Sequence, residues 1–125
     1  MVARVQNAGL ARFTLLLAAA SWYLQWGTGS GAAATANVVT TTTTTEARAA
    51  ATMSQQTTTV TSDTLRAVGT ITAAGARAIT EIGLFDAAGT GSPPTGGNMD
   101  IWGDFSVINL ASGDSIAFTL NTTFS

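Results

Sequence analysis

RAITEIGLFDAAGTGSPPTGGNMDIWGDFSVINLASGDSIAFTLNTTFS, residues 77–125, decides the fold. At its end Ile116, Phe118, Leu120 and Phe124 lie two or four residues apart. An extended backbone puts them on one face and Ser115, Ala117, Thr119 and Asn121 on the other. A strand of this kind needs a second layer over its apolar side. Upstream, Arg77–Phe85 alternates in the same way, and Gly83 in its middle suggests a bulge or a close backbone approach. Ile101–Leu110 is a further strand. Its apolar residues change parity between Val107 and Ile108, which again suggests a bulge. Residues 86–98 (DAAGTGSPPTGGN) form a long surface excursion, because Pro93 and Pro94 cannot join a ladder. Residues 111–114 (ASGD) are a tight turn into the last strand.

Working toward the N-terminus, Thr64–Ala73 is a clear strand, and Ala74-Gly75 reads as the turn of a hairpin whose returning arm is Arg77–Phe85. The tract 32–62 is low in complexity and rich in Thr. Thr40–Thr45 favours extended backbone but has no apolar alternation to fix its register, which suits an extended arm or a subunit boundary. Glu46–Ala51 reads equally as a helical turn or as strand. In WYLQW, Trp22, Leu24 and Trp26 share one strand face, opposite Tyr23 and Gln25. Gly27–Gly31 has neither the lysine nor the spacing of a phosphate loop and reads as a turn. Residues 8–21 are expected to form one short helix, with Leu10, Phe13, Leu17 and Ala20 on one face and Ser21 closing it. Arg4 and Arg12 before the run Phe13–Ala20 imitate a secretory signal. Eight apolar residues are short for a signal core and far below the ~20 that span a bilayer. The expectation is therefore an all-β chain, an antiparallel β-sandwich or small β-barrel over 22–125, preceded by an N-terminal arm or helix over 1–21.

Composition restricts the chemistry. The 125 residues include five Arg, seven acidic residues and no His, Cys or Lys, while Thr and Ala each occur 23 times. An ordinary domain carries about a quarter charged residues; here they make up 10%. Sparse charge points to a surface largely covered by partners, and hence to an oligomer. Five scattered arginines in a chain of net charge −2 do not make a phosphate-binding stripe, so no nucleic-acid partner is expected. No membrane partner is expected either. Ser and Thr nucleophiles have no His or Lys to activate them. Asp100, Asp104 and Asp114 could serve acid–base work, but Asp at strand ends and turns more often bonds the local backbone. No enzyme activity, metal or cofactor is expected.

Three blocks carry a resemblance: YLQWGTGSGAAATANV, LRAVGTITAAGARAITEIGLFDAAG and DFSVINLASGDSIAFTLNTTFS. Across about residues 23–125 they resemble small structural proteins of tailed bacteriophages, which share a WGTG start, an ITE-GLFDA strand–turn and a closing hairpin. The resemblance implies a β-rich virion component, trimeric and not catalytic, on the capsid surface with the major capsid protein as partner. Its role would be capsid decoration (cement). A tail-fibre or spike module that binds a surface glycan is the alternative. The residues expected to face a partner are Trp22, Tyr23, Trp26, Thr40, Thr42, Thr44 and Trp102.

Overall fold

A computed structural model describes residues 1–29 and 44–125. Thr40 and Thr42 lie outside the described residues. Among the described residues there are one helix, α1 (Asn7–Ala18), and then seven strands: β1 (Tyr23–Gly27), β2 (Ala49–Ala50), β3 (Thr52–Gln56), β4 (Thr64–Thr72), β5 (Arg77–Phe85), β6 (Met99–Leu110) and β7 (Ser115–Thr123). All pairings are antiparallel. They build a four-stranded sheet ordered β2-β1-β5-β6 and a three-stranded sheet ordered β3-β4-β7.

The two sheets pack face to face, and Ile79 joins Ile82 and Leu84 in the core although strict alternation puts it on the opposite face. From the first come Leu24, Trp26, Ile79, Ile82 and Leu84; from the second come Ala67, Ile71 and Phe118. Trp26 meets Phe118 edge-on at 6.3 Å, and Phe118 also packs on Phe105 of β6 at 6.0 Å. The arrangement is consistent with a β-sandwich.

Two expected hairpins do not form. β4 and β5 lie in different sheets, as do β6 and β7. Each connection instead turns a corner from one sheet to the other, and the two corners are locked together. The Ala73 amide donates to the Asp114 carbonyl at 2.8 Å and the Gly113 amide to the Ala73 carbonyl at 2.8 Å. An alternating pattern requires a covered face, and a strand across the sandwich covers it better than a neighbour in the same sheet.

The bulge expected in the 101–110 strand is present. From Ile79 to Glu81 β5 advances two residues while β6 advances four, from Ile108 to Asp104. A second register shift lies between Leu84 and Phe85. Gly83, by contrast, pairs regularly with Gln25 and Trp102.

The helix forms, with its face turned from the expected one. Leu10 and Thr14 are buried and Leu17 packs on the core, whereas Phe13 stays about half exposed. Ala20 lies beyond the helix. The reason is the Thr14 hydroxyl, which donates to the Ser62 carbonyl at 2.6 Å and accepts from Gln55 Nε2 at 2.7 Å. Those bonds fix the helix against β3 and the 57–63 turn. Residues 46–51 form no helical turn; β2 lies there, paired with Tyr23 and Leu24.

Candidate functional site

Of the residues expected to meet a partner, Trp22 and Trp26 are spent on the chain's own core. Both are buried, and Trp26 retains only 1% of its surface. Their ring nitrogens are engaged within the chain: Trp22 donates to the Leu17 carbonyl at 2.6 Å and Trp26 to the Thr44 hydroxyl at 2.8 Å. Thr44 in turn bonds Glu46. The two tryptophans offer a partner little surface, whereas Thr44 stays partly accessible. Tyr23 and Trp102 remain partly accessible. Trp102 is on the outer face of the first sheet, where its Nε1 donates to Glu81 Oε2 at 2.9 Å.

Two buried charges organise the same side of the molecule, and neither stood out from the sequence. Glu46 accepts from the Ala74 amide at 2.9 Å and from Arg77 Nε at 3.1 Å. Burial acts to raise its pKa, but hydrogen bonds from Thr44, the Ala74 amide and Trp26 outweigh that and hold it at about 2. Arg48 stacks over the Phe85 ring at 3.8 Å and donates through Nε to Gln25 Oε1. Its Nη1 reaches the carbonyls of Ala87 and Gly96, both at 2.8 Å. The 86–98 excursion is thus pinned from beneath. Across its base, Asp86 accepts from the Asn98 amide at 2.7 Å and from Asn98 Nδ2 at 2.9 Å. Those bonds, and then the Arg48 charge, keep the Asp86 carboxyl below its ordinary range.

The acidic candidates do not assemble a catalytic pair. Asp114 caps its own turn, accepting from the Ala111 amide at 2.8 Å. Asp100 and Asp104 are exposed on β6. Four residues of strand separate their backbones by roughly 13 Å. The paired carboxyls of glycosidases lie about 5–9.5 Å apart. Burial, and then Asp86, raise the Asp100 pKa. Among the described residues no group of three or more acidic, His or Cys side chains is placed to hold a metal ion. No described helix is long and apolar enough to cross a membrane.

The feature left over is the rim of the sandwich where β6 and β7 end their sheets. Ile101, Phe105, Leu110, Ile116 and Leu120 pack on the core yet stay only partly buried, and Val107 and Ile108 are exposed. Among the described residues, each of these two edge strands has a partner on one side only. A sheet edge presents unpaired N–H and C=O groups, which another strand can satisfy. No family model, curated protein or solved structure matches the chain.

Proposed function

We propose that the chain is a virion structural protein: a capsid decoration protein that self-associates and braces a phage coat lattice. The observation that carries the reading is the unfinished rim, a line of core side chains half covered by their own chain beside two open strand edges. Sparse surface charge and the resemblance of residues 23–125 to phage structural proteins support it. A protein of this kind works through modest contacts multiplied by copy number, so its rigidity and its edges matter more than any single side chain. The test is to mix the purified chain with assembled coat shells and sediment them. The reading expects saturable binding at a fixed ratio to coat protein and shells that resist heat better; a chain left wholly in the supernatant would refute it.

A second reading has one observation in its favour. Trp102 lies half covered on an outer face, and the 86–98 excursion is rigidly held on the same sheet. A partly accessible indole suits stacking on a sugar ring, as a tail-fibre module would require. Trp102→Ala would then abolish adsorption to host cells, and unchanged adsorption would eliminate this alternative.

A further inference from the structure

Among the described residues four strand edges are free, and they differ in how they are protected. β2 is two residues long. β3 is five residues long, and α1 covers it through Gln55. β6 is long, but it is bulged twice and carries Asp100 and Asp104. Shortness, bulges, charge and a covering helix are the devices that stop an edge from pairing. β7 has none of them. Its nine residues, SIAFTLNTT, contain no charge and no proline, and all nine pair with β4 without a register shift.

The groups on its free side can be named. The Phe124 amide donates to the Asp63 carbonyl and the Asp114 carbonyl accepts from Ala73, so even-numbered residues point their backbone groups toward β4. Antiparallel ladders alternate. The N–H and C=O of Ser115, Ala117, Thr119, Asn121 and Thr123 therefore point outward.

We propose that β7 pairs with β7 of a second copy, antiparallel about a two-fold axis through Thr119, joining two three-stranded sheets into one. The inference deepens the decoration reading and rests on its claim that copies of this chain associate. The occupant is a second copy because the strand is self-complementary in this register. Thr119 faces Thr119, Ala117 faces Asn121 and Ser115 faces Thr123 on the outer side, where all five are exposed. On the core side Phe118 faces Leu120 and Ile116 faces Thr122, so the half-covered apolar row continues into the partner's. No like charges meet, and every outward backbone group finds a mate. A two-fold contact closes on itself and gives a dimer, not the trimer that the resemblance implies.

The chain has no cysteine, so one introduced thiol reports the register. Thr119→Cys would put two thiols on the axis with Cα atoms about 5.5 Å apart, within the 4.4–6.8 Å that a disulfide spans. Val68→Cys, exposed on β4 opposite Thr119, is the control. Three strand spacings, roughly 14 Å, would separate it from its counterpart. The expected results are a wild-type mass of twice 12.6 kDa by light scattering, a covalent dimer for Thr119→Cys and none for Val68→Cys. Thr119→Lys, which sets two ammonium groups opposite each other at an exposed position, should give monomers with unchanged circular dichroism. A monomeric or trimeric wild type, equal cross-linking at both positions, or a Thr119→Lys variant that stays dimeric would overturn the pairing. Binding to coat shells is measured separately, because its loss refutes decoration and leaves the dimer standing.

Discussion

At the scale of single residues, stability depends on a few buried polar groups more than on surface charge. Glu46 and Asp63 are the clearest cases. Asp63 is buried and accepts from the amides of Thr58, Thr59 and Val60 at 2.9–3.0 Å. The Val60 amide leads these bonds, which together overcome the cost of burial and hold its carboxyl below the ordinary range. Both groups have folded pKa values below their unfolded ones. Their contribution is therefore complete above the unfolded value and is lost as pH falls toward the folded one. For Glu46 the window runs from 4.5 down to about 2. Urea midpoints of the wild type should fall across it, and those of Glu46→Gln should fall less steeply. Parallel curves would show that Glu46 does not contribute. Arg48 makes a second prediction. Arg48→Met keeps the packing over Phe85 but loses the donors to Gln25, Ala87 and Gly96. It should cost about 2–4 kcal/mol and speed amide exchange in residues 86–98 far more than in β4.

At the scale of elements, the alternating pattern made β1, β4, β5, β6 and β7 legible to within a residue or two. By contrast, β3 lies in the Thr-rich tract where no strand was placed, and β2 in a stretch that read equally as helical turn or strand. β5 spans Arg77–Phe85 and β7 spans Ser115–Thr123, much as read. The neighbours of each strand were not legible. A period of two fixes which face is buried but not which strand lies alongside, and both expected hairpins proved to be corners between sheets. The helix face was misread for a related reason. Apolar spacing favoured Phe13, while the bonds from Thr14 to Ser62 and Gln55 depend on a turn forty-eight residues away in the chain. Thr14→Val preserves shape and removes the hydroxyl. It should cost about 1–3 kcal/mol, read as a lower urea midpoint with early loss of protection in α1. Gly97 makes the loop's own prediction. Its φ is +71°, and a Cβ there would lie 2.7 Å from Asp86 Oδ1. Gly97→Ala should therefore lower the melting temperature, whereas Gly103→Ala, with open space around it, should do so much less.

At the scale of the molecule, Phe118 is the aromatic residue of the second sheet that packs on the first. Phe118 touches both Trp26 and Phe105, so Phe118→Ala should cost about 3–5 kcal/mol, a large share of a small domain's stability. Two of the three tryptophans marked by sequence as contact residues, Trp22 and Trp26, lie in the core, because composition cannot separate an indole buried by its own chain from one buried by a neighbour. The rim along β6 and β7 was invisible in sequence, since an edge exists only once strand order is set. On the proposed virion reading, the most direct measurement is the number of copies of this chain per purified particle, by quantitative mass spectrometry against the coat protein. A fixed ratio to coat subunits, in the hundreds per particle, is the predicted result; absence from the particle, or a handful of copies confined to the tail, would contradict the account.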